Sequence, residues 1–400
     1  MTSPSPRQAR ARRPRDRKAQ LAAVAAELFR ERGFHGVGIN DIAAAGGVTG
    51  PALYRHFADK QAILAYVVLA GIDDMEAATA EALSDAESAV DQLEGLLTVL
   101  ATQAVERREI AALWRWEGRH LPRDDQREIG KRSGALLAAW SKTLLRVRPD
   151  LAAEDAELLC WATLSVFGSV SVHHTTVAKK RFAQLLVERA LAVLNTTLPA
   201  AGAAQEPPPL AVLGTPSRRE QLLSEATRLF SDRGFRAVSM EDIGSAAGIA
   251  GPSVYRHFPS KGALLVAIGH RAGDRLAVAA EEALRAADER DALRRLAASY
   301  VHTLLHTPEL HVAFSADRAS IPDRDRAGLL RVQRDYVARW VSLLSAVRPE
   351  LPAREVKITV HAALTIANDL TRTRRVAHRP NLEAELSALL HAVLGLSRPS

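Results

Sequence analysis

The chain has a single cysteine, Cys160, among its 400 residues. One thiol excludes an intrachain disulfide and any zinc cluster built from several cysteines, and the apolar helical setting of Cys160 predicts a core position. Aromatic residues are also scarce, at 5% of the chain, whereas alanine, leucine, arginine and glutamate are abundant. This bias favours helix over strand, so we predict an all-α protein.

Long hydrophobic runs are absent from the sequence. None reaches bilayer-spanning length, and the proline- and arginine-rich start lacks the apolar stretch of a signal peptide. We therefore expect a cytoplasmic protein with no membrane partner. Since no nucleophile elbow, phosphate loop or dinucleotide fingerprint is present, nothing in the sequence supports an enzyme or a cofactor.

The charge is basic, with a net value of +7 and an isoelectric point near 9.8, which suits a polyanionic partner. Seven basic residues lie between Arg7 and Lys18, against one acid, Asp16. This composition predicts a flexible basic arm over residues 1–16. Such an arm either neutralises phosphates beside a DNA-binding domain or only keeps the chain soluble.

The sequence repeats itself. Residues 17–64 align with 218–265 at an offset of 201, and 23 of these 48 positions are identical. A weaker likeness continues at an offset of 200, where Trp140 matches Trp340. Self-similarity at a fixed offset indicates a duplication. The predicted order is a basic arm (1–16), head one (17–64), body one (65–197), a linker (198–217), head two (218–265) and body two (266–400).

Each head has the pattern of a short helical domain. In head one, apolar residues recur at helical spacing up to Gly33, a residue type that commonly follows a helix end. A second helix is predicted over residues 39–45, and Gly47 supplies the turn after it. Thr49 is placed to cap a third helix. A helix held by another across a glycine turn can place side chains on base edges in the major groove.

The segments GPALYRHFADK and GPSVYRHFPSK, which follow this turn in the two heads, resemble the recognition-helix signature of TetR-family regulators. The resemblance covers both heads and implies two tandem all-α units, each a three-helix helix-turn-helix head followed by a helical-bundle body. It also implies sequence-specific binding to double-stranded DNA with two half-sites. The residues that it places at the DNA surface are Thr49, Gly50, Pro51, Ala52, Tyr54, Arg55, His56, Lys60, Gly251, Pro252, Ser253, Tyr255, Arg256, His257 and Lys261.

Physical chemistry gives several of these side chains a role. Arg55 is the best candidate for a bidentate guanine contact. Tyr54 offers a hydroxyl to a phosphate, and Lys60 combines its charge with free amides at the start of a fourth helix capped by Asp59. We therefore expect Arg55 to read sequence and Tyr54 and Lys60 to set register.

The two heads are not identical. Ala250 replaces the capping Thr49, and Gly244 enters the second helix, so head two is expected to be less stable or weaker on DNA. Ser253 replaces Ala52 and offers a hydrogen bond that head one lacks. The sequence thus predicts half-sites that differ from each other.

The bodies are predicted to be bundles of amphipathic helices. By resemblance, each binds a small effector and dimerises through its last two helices, for which the candidates are residues 154–175, 181–196, 353–373 and 382–394. Apolar pocket walls suggest a hydrophobic or amphipathic effector, although each pocket candidate also suits ordinary packing. These candidates are Trp114, Trp116, Glu117, His120, Trp161 and His173 in body one, and Asp317 and His361 in body two.

Metal binding is the alternative for the histidines. His302 and His306 lie four residues apart, and His311, His173 and His174 add further imidazoles. Because no acidic or cysteine partner lies at a convincing spacing nearby, no metal site is predicted.

The resemblance implies a repressor that an effector releases from DNA. Since one chain holds both heads, we expect a monomer acting as an intramolecular pseudo-dimer; the alternative is a homodimer with four heads. The 20-residue linker reaches up to about 66 Å, well beyond the roughly 34–36 Å between consecutive half-sites. A transcriptional activator, or a small-molecule-binding protein with vestigial heads, remains as an alternative function.

Overall fold

The computed structural model describes residues 14–84, 88–116, 118–200, 216–249, 251–315 and 320–396. The regular structure in these ranges is helical, with no strand among them, which confirms the predicted all-α class. None of the described helices combines the length and apolarity needed to cross a membrane. Residues 1–13 of the predicted arm and 201–215 of the predicted linker lie outside the described ranges.

Head one begins earlier than predicted, because its first helix starts at Pro14, inside the expected arm. That helix ends before Gly33, which adopts a φ of 74° and donates its N–H to the carbonyl of Phe29 at 2.8 Å. Glycine tolerates this left-handed φ at little cost. The head-one helices are α1 (Pro14–Arg32), α2 (Ile39–Ala45) and α3 (Gly50–Tyr54), with a short 3-10 helix, Phe34–Gly36, after α1.

The helices that follow head one are longer. They are α4 (Lys60–Ser84), α5 (Ala89–Glu106), α6 (Arg108–Trp116), α7 (Arg123–Val147), α8 (Ala153–Gly168) and α9 (Lys179–Leu194), with 3-10 helices at Gly118–His120 and Ser169–Ser171. Asp59 caps α4 as predicted, since its carboxylate accepts the N–H of Ala62 at 2.7 Å.

The second half of the chain repeats this order. Head two contains α10 (Arg218–Arg233), α11 (Met240–Ala246) and α12 (Gly251–Val254). Body two contains α13 (Lys261–Ala283), α14 (Glu289–His306), α15 (Pro308–Ser315), α16 (Asp323–Val347), α17 (Ala353–Leu370), α18 (Arg374–Ala377) and α19 (Leu382–Leu394).

The chain divides into two compact units. Unit one consists of residues up to 77 together with 109–134, and it contains head one. Within it, the Arg132 guanidinium of α7 donates to Glu76 of α4 at 2.8 Å and to Asp73 at 2.6 Å. These ion pairs tie α7 to α4.

Unit two consists of residues 78–108 and 135 onward, and it contains head two and the last helices of both predicted bodies. In this unit α8 packs against α9 and α17, and α19 packs against α9 and α17. These four helices coincide with the elements that the sequence predicts for dimerisation. Two helices from each half of the chain therefore form one bundle.

Candidate nucleic-acid interface

The recognition helix of head one, α3, is held by a small apolar core. Leu53 and Phe57 are buried, and so is Ile42 of α2. The Oγ1 atom of Thr49 accepts the N–H of Ala52 at 3.4 Å, which is the predicted cap. The opposite face is open to solvent, with Tyr54 55% exposed and Arg55 exposed. The structure thus presents these two predicted contact residues outward.

Head two presents the same face. Val254 and Phe258 are buried in a core that also contains Ile243 of α11, whereas Tyr255 is 49% exposed and Arg256 is exposed. The predicted contacts Ala52, His56, Ser253 and His257 are half-buried, and Thr49 and Pro51 are exposed. For Gly251 and Pro252 the structure describes the helical backbone, and Ala250 lies outside the described residues.

The turn before each recognition helix requires glycine. Gly47 has a φ of 63° and Gly248 a φ of 66°. A side chain at this φ costs roughly 1–2 kcal/mol because its Cβ approaches the following carbonyl. The repeated glycines therefore fix the angle between the two helices of the motif.

The structure gives Lys60 and Lys261 a role that the sequence does not reveal. Lys60 Nζ donates to the carbonyl oxygens of Phe34 and Val37 at 2.6 and 2.8 Å, and it lies 4.3 Å from the centre of the Phe34 ring. Lys261 Nζ donates to the carbonyl of Val238 at 2.6 Å, and burial lowers its pKa. Both ammonium groups thus hold the connection between the first and second helices of their own head.

Lys18 and Arg219 form a second pair of cations whose contacts are not predictable from the sequence. Lys18 Nζ lies 5.1 Å from the centre of the Phe57 ring, and the Arg219 guanidinium lies 4.2 Å from that of Phe258. Arg219 also donates to the carbonyl of His257 at 3.0 Å. These contacts join the first helix of each head to the end of its recognition helix. The only sequence signal was a basic residue at equivalent positions of both copies.

The helix caps differ between the heads in a way that offsets the expected weakness of head two. Ser239 Oγ accepts the N–H of Asp242 at 3.0 Å, while the Asp242 carboxylate accepts the N–H of Ser239 at 2.8 Å and has a lowered pKa. Head one has Gly38 at this position, which lacks a capping oxygen. The capping box stabilises α11 by about 1 kcal/mol, similar to the cost of Gly244 inside the same helix.

We expect Ser239→Ala to lower the free energy of unfolding of head two by about 1 kcal/mol, because the N–H of Asp242 loses its acceptor. Denaturant unfolding of the full chain, with hydrogen exchange of the α11 amides, measures the change. Ser239→Thr keeps a capping oxygen and is the matched control. Equal losses in the alanine and threonine variants would contradict the assigned cap.

The predicted effector-pocket residues fall in different places. His120 belongs to unit one, where its ring stacks on Phe34 at 5.4 Å and meets His35 at 4.5 Å. It therefore contacts the connection between α1 and α2 of head one. Glu117 and Asp317 lie outside the described residues, as do the side chains of Trp114 and Trp116.

The remaining candidates lie in unit two. Trp161 is half-buried on α8, and His173 is buried just beyond the 3-10 helix that follows it. The rings of His173 and His361 are 4.8 Å apart, although the sequence assigns these residues to separate pockets in the two bodies. The packing of α8 on α17 brings them together instead. Arg108 fixes the backbone here by donating to the carbonyl of His173 at 2.7 Å.

Burial shifts the titration of both rings. It lowers the pKa of His361 to about 4, with Lys357 acting in the same direction. Burial, and then the neighbouring His361, also holds the pKa of His173 far below its ordinary value. Both imidazoles are thus neutral in the folded protein near pH 7.

This shift predicts acid sensitivity. The unfolded chain binds protons on these imidazoles near pH 6.5 and the folded chain only at lower pH, so the stabilisation present above 6.5 is lost toward pH 4. His361→Leu should reduce the loss of stability between pH 7 and 4.5 by about 2 kcal/mol. Urea unfolding across this range measures it, with the exposed His270→Leu as control. Identical pH profiles for the wild type and His361→Leu would oppose the assignment.

Each head thus has a recognition helix with an exposed face, joined across a glycine turn to a second helix whose isoleucine, Ile42 or Ile243, is buried. This arrangement defines a protein with two helix-turn-helix DNA-binding heads. Residues 21–67 and 222–268 both match the family model described as "Bacterial regulatory proteins, tetR family". Each head therefore matches the model of this family, and the two matches together cover 94 of the 400 residues. The match confirms the resemblance seen in the two recognition-helix segments.

The chain is similar to curated regulators over short stretches. The HTH-type transcriptional activator FasR of Mycolicibacterium smegmatis is 38% identical over 90 residues, which are 22% of this chain and 41% of FasR. The HTH-type transcriptional repressor KstR2 of Rhodococcus jostii is 47% identical over 55 residues, 14% of this chain and 27% of KstR2. The chain thus spans less than half the length of each of these two relatives.

Solved structures of TetR-family proteins also match. A TetR-family transcriptional regulator from Bordetella parapertussis shares 20% identity, with 44% of this chain and 93% of that chain covered and a TM-score of 0.41. The regulator PfmR from Thermus thermophilus shares 25% identity, with 46% of this chain and 96% of that chain covered and a TM-score of 0.40.

Proposed function

We propose that the chain is an effector-responsive transcriptional repressor that binds a two-half-site operator as an intramolecular pseudo-dimer. The observation that carries this proposal is the bundle of α8, α9, α17 and α19. An ordinary dimer would build such an interface from two chains, whereas here both halves are covalently linked. One chain can then present two heads without a partner.

The ion pairs across this bundle have an approximate two-fold relation. The Arg181 guanidinium makes a bidentate contact with Glu355 at 2.9 and 2.6 Å. In the reverse direction, Arg379 pairs with Asp155 at 2.5 Å. Asp155 and Glu355 are equivalent at the repeat offset of 200. Each of these two equivalent acids therefore pairs with an arginine of the other body, although Arg181 and Arg379 are not themselves equivalent positions. Contacts of this reciprocal kind are typical of an isologous dimer interface.

Two further polar contacts join residues of the two bodies. Arg354 donates to the carbonyl of Thr176 at 3.2 Å, and Arg375 pairs with Glu157 at 3.2 Å. Near the end of the bundle, buried Arg189 donates to the carbonyl of Val393 at 3.1 Å. Polar contacts thus run between the two bodies at both ends of α9, which favours a fixed arrangement over transient encounter.

The effector part of the proposal rests on two buried nitrogen atoms. Trp161 Nε1 and His173 Nε2 have no hydrogen-bond partner among the described residues. A buried polar atom without a partner is costly unless water or a ligand satisfies it. We infer that a largely apolar effector with one or two polar groups binds near these atoms, where it would shift the equilibrium between DNA-bound and free states.

Selection of binding sites from random double-stranded DNA tests the operator. The proposal predicts two half-sites one helical turn, or a multiple of it, apart, with different sequences because Ala52 and Ser253 face the bases. A perfect palindrome, or a single half-site, would refute it. The selected operator, placed over a promoter in a reporter, then tests the direction of regulation. Reduced transcription supports repression, and increased transcription contradicts it.

A further inference from the structure

Body two carries a cluster of three metal-ligating side chains outside the heads. His302 and His306 lie on α14, and Glu383 lies in the first turn of α19. His302 Nδ1 is 2.9 Å from one carboxylate oxygen of Glu383, and His306 Nε2 is 3.2 Å from the other. One ligand atom from each residue lies within 4.8 Å of the other two. All three groups therefore converge on one point.

The chemistry of the cluster matches that of a borderline divalent cation. Residues four apart on a helix share one face, so both imidazoles of α14 point toward α19. Two imidazoles and one carboxylate form a ligand set that zinc uses when its fourth position is left to water. Zinc–nitrogen bonds of about 2.0–2.1 Å in a tetrahedron place neighbouring ligand atoms about 3.3 Å apart. The two histidine nitrogens lie 2.9 and 3.2 Å from different oxygens of Glu383, so a small side-chain adjustment brings one ligand atom of each residue to that spacing.

Exposure makes the cluster accessible. The side chains of His302, His306 and Glu383 are 63%, 59% and 46% exposed. An ion can therefore reach them, and small side-chain movements suffice to adjust the distances. The sequence did not reveal the site because Glu383 lies 77 residues beyond His306 and is brought to it by packing of α14 on α19.

We propose that His302, His306 and Glu383 bind a divalent transition-metal ion, with Zn²⁺ as the representative. The equivalent residues of body one, at the offset of 200, are Thr102, Glu106 and Ala183. Body one cannot form the same site, so each chain binds one ion here. The ion joins α14 to α19, a helix that also packs against α9 of body one.

Calorimetric titration of the full, untagged chain with Zn²⁺ in a non-coordinating buffer tests the proposal. We expect one ion per chain. His302→Ala, His306→Ala and Glu383→Gln should each weaken Zn²⁺ binding by at least roughly 10–100-fold. Loss of a residue that only supports a metal ligand already costs that much, and these three residues are the ligands themselves. The matched control is His270→Ala, an exposed histidine on α13, which should bind normally.

Two further measurements make the outcome decisive. Saturating Zn²⁺ should raise the unfolding temperature of the wild-type chain but not of His306→Ala, because an ion that binds only the folded state stabilises it. Mg²⁺, which prefers all-oxygen octahedral sites, should produce neither effect. Absence of Zn²⁺ binding to the wild type, or binding to all three variants as tight as to the wild type, would overturn the proposal.

Discussion

Replacing both Tyr54 and Tyr255 by alanine is expected to lower operator affinity about a hundredfold. Tyr54 is the last residue of α3 and Tyr255 directly follows α12, and both side chains are exposed, so each hydroxyl can donate to a phosphate. A hydrogen bond to a charged group contributes about 1.5–3 kcal/mol, which corresponds to roughly tenfold or more for each head. A gel shift or fluorescence anisotropy on the selected operator, at fixed salt, measures the change.

The two single-tyrosine variants test whether one head or both heads contact DNA. Tyr54→Ala and Tyr255→Ala should each weaken binding about tenfold if both heads contact DNA together. Val278→Ala is the matched control, since Val278 is a 59% exposed apolar residue on α13, outside the heads. A silent Tyr255→Ala would indicate that head two does not bind, and unchanged affinity in the double variant would reject the assigned DNA surface.

Arg181→Met is expected to destabilise the bundle between the bodies by about 2–3 kcal/mol. The variant leaves the Glu355 carboxylate without its bidentate partner, and Glu355 is only 5% exposed. Breaking a fully buried pair costs about 3–5 kcal/mol, and the estimate is reduced because the Arg181 side chain is 38% exposed. Urea unfolding and hydrogen exchange of the α8 and α17 amides measure the loss.

A double variant shows whether Arg181→Met destabilises the bundle by leaving a buried charge unpaired or by removing packing contacts. Arg181→Met combined with Glu355→Leu should recover most of the stability, because replacing both partners by apolar groups is often close to neutral. The Arg127–Asp124 pair, with side chains 79% and 87% exposed, supplies a control. Arg127→Met should change stability by less than about 0.5 kcal/mol. If Arg181→Met lowers the stability no more than Arg127→Met does, the assigned interface is contradicted.

The heads could be predicted from the sequence because their signals are local. Gly33 and Gly47 mark turns that need a left-handed φ, Thr49 and Asp59 cap the helices that follow them, and the same pattern occurs twice. Each signal depends on residues within a few positions of one another, where helix geometry is fixed. The boundary at Pro14 was missed because the basic residues there resemble a solvated arm.

The contacts between distant segments could not be predicted. The partners Arg181 and Glu355 are 174 residues apart, and Lys60 reaches carbonyl groups 26 and 23 residues before it. The sequence around a lysine or glutamate does not identify its contact partner, because the packing of whole helices determines which side chains meet. For the same reason His173 and His361, expected in separate pockets, lie against each other.

The molar mass of the protein on its operator tests the central claim most directly. Light scattering on a complex with one two-half-site duplex should give one chain of 43.3 kDa per duplex, and the free protein should be a monomer. Arg181→Met should leave this stoichiometry unchanged, because the linker still joins the two heads. An obligate dimer of twice that mass, presenting four heads, would contradict the intramolecular pseudo-dimer.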